Sequence, residues 1–236
     1  MILFYAKSFN GDFCQLDEEE SKHCVKVLRM KEGDPIHVTD GEGTLCVGHI
    51  VDADSRGCTV AIEERKEHYG KRKFHLHVAI APTKNNARTE WFIEKAVEIG
   101  IDTITPIICQ HSERCTIKQD RLEKIVRSAM MQSVKTYRTN INPPTQILDL
   151  IHNPLLPPPS SRFICHCQGK RKGLGDLYTP SHPALILIGP EGDFSRQEID
   201  EALAYDFKPV TLGSCRLRTE TAALYATTVL NFLNEL

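Results

Sequence analysis

The sequence predicts an α/β protein with two domains of unequal size: a small β-barrel over residues 1–70, then a parallel sheet covered by helices over residues 71–236. Three observations favour this class. Short apolar strands separated by turn signals fill the first domain, strands and helices alternate in the second, and a highly charged stretch over residues 63–73 separates the two patterns. A chain of 236 residues that is 41% hydrophobic and 25% charged has the size and composition of a two-domain globular protein.

The first domain is predicted to consist mainly of strands. Its alternating apolar runs are bounded by Pro and Gly turn signals, and they cover residues 36–38, 45–51 and 58–62. One helix is predicted over residues 18–30, with Cys24, Val27 and Leu28 on a single apolar face. A barrel of such short strands leaves little room for catalysis.

The second domain has the alternation of a parallel sheet that is covered on both faces. Its strands are predicted over residues 74–81, 104–109, 162–167, 184–188 and 208–212. Its helices are predicted over residues 88–99, 120–135, 195–204 and 222–233, and a proline-rich surface loop covers residues 153–161. Ser195 and Glu198 have the spacing of an N-terminal capping box.

The charge of the chain is unevenly distributed. Its formal net charge is -2, which excludes a uniformly basic nucleic-acid binder. Residues 1–70 carry 8 Lys and Arg against 14 Asp and Glu, whereas residues 71–140 carry 13 against 7. A basic middle segment of this kind is sufficient to attract phosphate.

The chain has nine cysteines, an odd number, and they are scattered without a Cys-x-x-Cys pair. This pattern predicts free thiols in a reducing cytosol. Cys165-His166-Cys167 lies on a predicted strand and is a poor zinc site, so no metal is expected. No apolar run is long enough for a signal peptide or a membrane span. We therefore expect a soluble cytoplasmic protein without a membrane partner.

Two loops follow predicted strands, and ligands in open α/β sheets bind beyond the carboxyl ends of strands. The first covers residues 188–195 (IGPEGDFS) and the second residues 212–221 (LGSCRLRTET). Gly-Pro-Glu-Gly alone is more often an ordinary turn, and Leu-Arg-Thr-Glu-Thr alone could be a capped helix start. Neither loop has the Lys-Ser/Thr of a P-loop, and no Gly-x-Gly-x-x-Gly run occurs, so a nucleotide-phosphate site is not indicated.

Taken together, IGPEGDFS and LGSCRLRTETAAL resemble the paired cofactor loops of the uracil-N3 ribosomal-RNA methyltransferases, the RsmE type of the SPOUT superfamily. HCVKVLRM and the turn TDG resemble that family's N-terminal PUA-like barrel. RTEWFIEKAVEIGIDTITPIICQHSERC resembles the segment that opens its catalytic domain. The resemblance covers essentially the whole chain.

The resemblance implies a SPOUT-type parallel sheet with a deep trefoil knot in the last third of the chain, a PUA-like RNA-binding barrel before it, and a homodimer. It also implies S-adenosylmethionine as cofactor and N3 of a specific uridine in 16S ribosomal RNA of the small subunit as the methylated atom. The residues that would bind the cofactor are His166, Ile188, Gly189, Glu191, Gly192, Leu212, Gly213, Leu217, Arg218, Thr219, Glu220 and Thr221. A lone histidine at the end of a strand, such as His166, is more often simply packed.

Arg218 is the candidate catalytic residue, because a guanidinium could stabilise negative charge on the uracil carbonyls when N3 loses its proton. Its alternative role is that of a structural partner of Glu191 or Glu220. The sequence does not identify a general base.

RNA contacts are predicted for a set of basic residues in both domains: Lys26, Arg29, Arg114, Lys118, Arg121, Lys135 and Arg138. Lys124 and Arg127 belong to the same basic run. Their alternative reading is the solvated face of an amphipathic helix.

The sequence departs from the common family pattern in two places. Asp193 stands where a third glycine is frequent. Residues 130–135 (MMQSVK) stand where many members have a Glu-Gln pair followed by a glycine-arginine turn.

Two other functions stay open on the sequence alone. One is a SPOUT methyltransferase that acts on another RNA position, which mapping of the modified nucleotide would identify. The other is a non-catalytic RNA-binding or ribosome-assembly protein, which cofactor binding would distinguish.

Overall fold

A computed structural model describes residues 2–6 and 9–235; Met1, Lys7, Ser8 and Leu236 of the predicted domains lie outside the described residues. The chain divides into two compact units. The first comprises residues 1–71 together with residues 127–138, and the second comprises residues 72–126 and 139–236. The first unit is therefore discontinuous in sequence.

The first unit contains a six-stranded sheet in the order β1-β4-β5-β6-β3-β2. Its strands are β1 (Leu3–Tyr5), β2 (Phe9–Asn10), β3 (Phe13–Gln15), β4 (Pro35–Thr39), β5 (Leu45–Asp52) and β6 (Thr59–Lys66). The sheet curls into a half-barrel, and the register between β5 and β6 shifts at Gly48. A Cβ atom at Gly48 would come within 1.9 Å of the Ala61 carbonyl oxygen, so only glycine fits this bulge.

The predicted helix over residues 18–30 is interrupted. α1 (Glu18–Lys22) is capped by Asp17, whose side chain accepts a hydrogen bond from the Glu20 amide, and a π-helical turn (His23–Val27) follows it. The wider turn changes the direction of the side chains, so Val27 is 69% exposed and the prediction that it shares an apolar face is wrong. Cys24 is fully buried, as predicted.

The core of the first unit contains four buried thiols, which pack as small apolar groups. They are Cys14, Cys24, Cys46 and Cys58. All nine cysteines are free in the structure.

The second unit contains an entirely parallel sheet in the order β10-β8-β7-β13-β11-β14-β12, with β9 paired to β8. Its strands are β7 (Leu76–Ile80), β8 (Thr103–Ile108), β9 (Asn140–Ile141), β10 (Thr145–Gln146), β11 (Arg162–Cys165), β12 (Lys172–Gly173), β13 (Ala184–Ile188) and β14 (Lys208–Thr211). The five longer strands match the predicted ones. β9, β10 and β12 have two residues each, too few for a periodicity in the sequence to indicate them.

Helices cover both faces of this sheet, as alternation of strand and helix predicts. They are α2 (Asn86–Ile99), α4 (Ile147–Ile151), α5 (Leu174–Leu177), α6 (Arg196–Ala204) and α7 (Thr219–Glu235), and the chain also contains α3 (Gln119–Gln132). α2 and α7 pack together, with α7 against β7 and β13, whereas Ile151 of α4 and Ile199 of α6 join the core of the other face. The predicted capping box is confirmed: the Glu198 amide donates to Ser195 Oγ at 3.3 Å and the Ser195 amide donates to Glu198 Oε2 at 2.7 Å.

Residues 127–132 of α3 belong to the first unit.

In the described parts of the chain, no helix combines the length and the apolar character that crossing a membrane requires.

Candidate active site

A cavity of about 670 Å³ lies at the carboxyl ends of three adjacent strands of the second unit, β13, β11 and β14. Three loops line it, one after each strand: residues 165–171, residues 188–193 and residues 211–219. This is the edge at which open parallel sheets bind ligands, because each strand delivers its following loop there.

The two loops singled out in the sequence are directly bonded to each other. The buried hydroxyl of Thr219, the first residue of α7, donates a hydrogen bond to the Gly189 carbonyl oxygen at 3.1 Å. One loop thus supplies the acceptor and the other the donor, although the residues lie 30 positions apart.

Asp193 connects the loop after β13 to the loop after β11. Its Oδ2 accepts a hydrogen bond from the Cys167 amide at 2.9 Å and its Oδ1 accepts from the Phe194 amide at 2.9 Å. The φ angle of Asp193 is +65°, a left-handed conformation that glycine adopts most readily. Aspartate is among the few other residues that adopt it readily.

Most of the residues predicted to bind a cofactor line the cavity. These are His166, Ile188, Gly189, Glu191, Leu212, Gly213, Leu217, Arg218 and Thr219. The cavity wall also contains residues that were not among the predicted cofactor-binding residues: Cys165, Cys167, Arg171, Pro190, Asp193, Thr211, Ser214, Cys215, Arg216 and Ala222. The sequence offers one signal for Arg171, namely its position in the loop that follows the predicted strand β11.

Three predicted residues lie outside the cavity wall: Gly192, Glu220 and Thr221. A Cβ atom at Gly192 would lie 3.2 Å from Cβ of His111, so this glycine allows the loop to pack closely against that histidine. Glu220 is buried, with Oε1 3.8 Å from Nε of Arg88, while Thr221 is exposed on α7.

Arg218 is exposed on the cavity wall. Its alternative role was a structural ion pair with Glu191 or Glu220. In the described part of the chain Glu220 instead faces Arg88, and Glu191 Oε1 accepts a hydrogen bond from the Lys84 amide at 3.0 Å.

The His166 ring is buried and its protons can be assigned from its contacts. Nδ1 accepts a hydrogen bond from the Gln168 amide at 3.2 Å, so the neutral ring carries its proton on Nε2. Burial lowers the pKa of His166, which keeps the ring neutral. Nε2 has no hydrogen-bond partner within the described residues.

The charged groups of the cavity wall are of both signs. Glu191 and Asp193 supply carboxylates, and Arg171, Arg216 and Arg218 supply guanidinium groups. Burial raises the pKa of the Cys165 thiol to about 12, so this thiol stays neutral. No group of three or more His, Cys, Asp or Glu side chains within residues 2–6 and 9–235 is arranged to hold a metal ion.

The predicted RNA-contacting residues are divided between the units. Lys26, Arg29, Lys135 and Arg138 belong to the first unit, and Arg114, Lys118 and Arg121 belong to the second. Lys118 and Arg121 line a smaller cavity of about 210 Å³, where Arg121 is ion-paired to Glu90 at 2.6 Å. The solvated-face reading fits the exposed Lys124.

Arg127 is not part of a solvated face. Its Nη2 lies 2.6 Å from Asp17 Oδ2 and 3.2 Å from Glu20 Oε1, and its guanidinium stacks 4.7 Å from the centre of the Tyr5 ring. All four residues belong to the first unit, so Arg127 has a structural role there.

Two family profiles match the chain. Residues 70–231 match the RNA methyltransferase domain, and residues 16–63 match the RNA methyltransferase PUA domain. Together with the parallel sheet and the cavity at its carboxyl edge, these matches define an RNA methyltransferase with a PUA domain.

Curated relatives identify the particular family. Ribosomal RNA small subunit methyltransferase E from Mesomycoplasma hyopneumoniae is 32% identical over 235 residues, covering 97% of this chain and 98% of that protein. The protein of the same name from Bacillus subtilis is 28% identical over 238 residues, covering 92% of this chain and 89% of that protein. The chain belongs to the ribosomal RNA small subunit methyltransferase E family.

Solved structures have the same fold. A probable rRNA methyltransferase from Porphyromonas gingivalis superposes with a TM-score of 0.91 at 39% identity, covering 100% of this chain and 99% of that chain. Ribosomal RNA small subunit methyltransferase E from Neisseria gonorrhoeae, bound to S-adenosylmethionine, superposes with a TM-score of 0.87 at 26% identity, covering 99% and 98%. The predicted family and the predicted order of a PUA domain followed by an α/β methyltransferase domain are confirmed.

Proposed function

We propose that this protein uses S-adenosylmethionine to methylate N3 of a specific uridine in 16S ribosomal RNA of the small ribosomal subunit. The observation that carries the proposal is the cavity at the ends of β11, β13 and β14, where the two family loops meet through Thr219 and Gly189. The names of the curated relatives and the cofactor bound to the Neisseria gonorrhoeae relative support it.

The cavity fits the proposed cofactor. Its volume of about 670 Å³ is in the range of small-molecule sites, and its wall combines apolar groups with hydroxyl and charged ones. We assign binding to the cavity-lining residues predicted from the sequence, among them His166, Gly189, Leu212 and Leu217. When bound, S-adenosylmethionine supplies an electrophilic methyl group.

The protein's own groups then have defined tasks. The target uridine must be unpaired or flipped out of its helix to reach the cavity, because N3 is occupied in a base pair. Arg218, exposed on the wall, is positioned to stabilise negative charge on the uracil carbonyls as N3 loses its proton. His166 is not the general base, because its Nε2 already carries a proton and its Nδ1 accepts the Gln168 amide.

We assign RNA capture to the barrel of residues 1–70 and catalysis to residues 71–236. Lys26 and Arg29 are exposed beside the π-helical turn and would contact phosphate. The predicted basic residues between positions 114 and 138 would contact phosphate as well. Binding by such contacts should weaken steeply as the salt concentration rises. The substrate would place the protein in the cytoplasm, where ribosomal subunits are assembled.

We also propose the homodimer. Trp91 on α2 is 44% exposed, and Tyr225 and Phe232, two turns apart on α7, are 48% and 58% exposed. Exposed aromatic side chains on two helices that pack together are suited to contact with a partner copy. Because α7 begins at the cavity with Thr219, a dimer through these helices would bring the cofactor site near the interface.

The register of the sheet supports the deep trefoil knot that we propose for the last third of the chain. Cys165, at the end of β11, and Lys172, at the start of β12, both pair with Val210 of β14. Since β14 lies between those two strands, residues 166–171 must cross the chain where it leaves β14.

The test is methyl transfer from labelled S-adenosylmethionine to small subunits that lack the modification, with the product located by mass spectrometry. We expect a methyl group on uridine N3, lost in Arg218→Ala and retained in Arg196→Ala, whose guanidinium pairs with Asp200 outside the cavity. A methyl group on another atom or another RNA would overturn the specificity. Absence of cofactor binding by the wild-type protein would overturn the enzymatic function.

A further inference from the structure

The loop after β11 contains two buried hydrogen-bond donors that lack acceptors. This loop, residues 166–171, forms one wall of the cavity through His166, Cys167 and Arg171. Nε2 of His166 and Nε of Arg171 are both buried without a hydrogen-bond partner in the described residues. Orphaned donors of this kind are rare in native proteins and call for a partner that the chain itself does not supply.

The hydrogen bond at Nδ1 of His166 determines that Nε2 of the same ring is a donor. The Gln168 amide occupies Nδ1 of His166, so Nε2–H can only donate. The ring is 6% exposed and is held against the cavity by the end of β11. An acceptor brought by a ligand would satisfy it.

The second donor carries a full positive charge. Nη1 of Arg171 donates a hydrogen bond to the His166 carbonyl oxygen, which links the two residues directly. No carboxylate lies within ion-pair distance of Arg171 in the part of the chain that the structure describes. Asp193, in the neighbouring loop of the cavity, uses its two carboxylate oxygens to accept hydrogen bonds from the Cys167 and Phe194 amides.

We propose that Arg171, with His166 Nε2–H beside it, binds the carboxylate of the methionyl part of the cofactor. The inference rests on the proposed function, since it assumes that S-adenosylmethionine occupies this cavity. The carboxylate is the one anionic group of that molecule, and a guanidinium is the side chain best suited to pair with it. Adenine and ribose offer neutral acceptors, which would leave the charge of Arg171 unpaired.

Two probes separate this assignment from its alternatives. S-adenosylhomocysteine contains the carboxylate, whereas 5′-methylthioadenosine retains adenine and ribose but lacks the amino-acid part. Both are titrated calorimetrically into the wild-type protein and into Arg171→Ala. We expect the affinity for S-adenosylhomocysteine to fall roughly 10- to 100-fold, as for loss of a hydrogen bond to a charged group, with the affinity for 5′-methylthioadenosine unchanged.

The matched control is Lys170→Ala, which removes a positive charge from an exposed position of the same loop that does not line the cavity. It should leave both affinities at the wild-type level. Arg171→Gln, which can still donate to the His166 carbonyl oxygen but has no charge, should show the same selective loss as Arg171→Ala. It also serves as the test if the alanine variant does not fold.

Equal weakening of both probes would overturn the proposal and assign Arg171 to the adenosine part or to the shape of the loop. Unchanged affinity for both would overturn it as well. Either result, obtained with a wild-type protein that binds S-adenosylhomocysteine, leaves the proposed function standing. A wild-type protein that binds neither probe overturns the proposed function itself.

Discussion

The hydroxyl of Thr219 and the carbonyl oxygen of Gly189 lie 3.1 Å apart and form a buried hydrogen bond between the two loops of the cavity. This bond gives a physical reason why the two loop sequences are informative as a pair and ambiguous when taken singly. A turn at residues 189–192 and a helix start at Thr219 have separate local explanations. The hydrogen bond between them holds the two loops together in one wall of the cavity.

Thr219→Val should loosen that wall. The variant keeps the shape of the side chain but leaves the Gly189 carbonyl oxygen unsatisfied, which costs about 1–3 kcal/mol for a buried acceptor. We expect a lower free energy of unfolding in urea and weaker binding of S-adenosylhomocysteine by calorimetry. Thr219→Ser keeps the hydroxyl and should behave like the wild type; equal losses in both variants would show that the methyl group matters and the hydrogen bond does not.

Arg127→Leu should destabilise the first unit. Removing the guanidinium leaves the carboxylates of Asp17 and Glu20 without their ion-pair partner. Because the Arg127 and Asp17 side chains are partly exposed, we expect a loss of about 1–3 kcal/mol, between the values for exposed and for fully buried ion pairs. Chemical denaturation measures the loss. Lys124→Ala, three residues earlier and exposed, is the control and should change stability by less than about 0.5 kcal/mol. A similarly small effect of Arg127→Leu would contradict the structural role.

Val134→Gly should stabilise the protein. α3 ends with nested hydrogen bonds from the Val134 amide to the Met131 carbonyl and from the Lys135 amide to the Met130 carbonyl, and Val134 has a φ angle of +57°. A β-branched residue is strained there, at the position where helices usually end in glycine. The expected gain in unfolding free energy is about 1 kcal/mol, after the greater backbone entropy of unfolded glycine is subtracted. Val134→Ala keeps the Cβ atom and should gain less; a loss of stability in Val134→Gly would show that the valine side chain contributes more by packing than its backbone strain removes.

Stability should decline below neutral pH because of His77. Burial lowers the pKa of His77 from 6.5 to about 4, while its Nε2 lies 2.7 Å from Thr105 Oγ1. The folded-state pKa is depressed, so the unfolded chain binds the proton first. The contribution of His77 is therefore fully present above pH 6.5 and is lost as the pH falls from 6.5 towards 4.

Urea titrations at several pH values measure this loss, which should amount to no more than about 3 kcal/mol. In His77→Gln the slope between those pH values should be smaller, whereas in His182→Gln, at an exposed site, it should match the wild type. Identical slopes in all three proteins would refute the assignment.

Local patterns were sufficient to predict much of the second unit. Five strands with continuous apolar runs and the capping box at Ser195 follow from interactions between residues close in sequence. The edge of the sheet that carries the cavity follows from the general rule that open α/β sheets bind ligands beyond the carboxyl ends of their strands. The two cofactor loops were identified by the resemblance to the family, because each loop alone is ambiguous. Eight of the residues predicted within them line the cavity, together with His166.

The features that the sequence did not predict depend on contacts between distant residues. Arg127 looked like part of a solvated face because its partner Asp17 lies 110 positions earlier. Arg171 has no local signal, since only the packing of β11 beside β13 brings its loop to the cavity. The π-helical turn after α1 replaces a regular pattern with one that a period of 3.6 residues does not describe.

The discontinuity of the first unit has a consequence during synthesis. Although this unit starts the chain, its last piece, residues 127–138, is translated only after residues 72–126 of the second unit. When residues 1–71 have left the ribosome, the chain still lacks Arg127, the partner of Asp17 and Glu20. It also lacks the end of α3 with Val134 in its left-handed conformation. The barrel is therefore completed while the second unit is already partly translated, and a gene fragment that stops at residue 71 encodes a barrel that lacks part of its own structure.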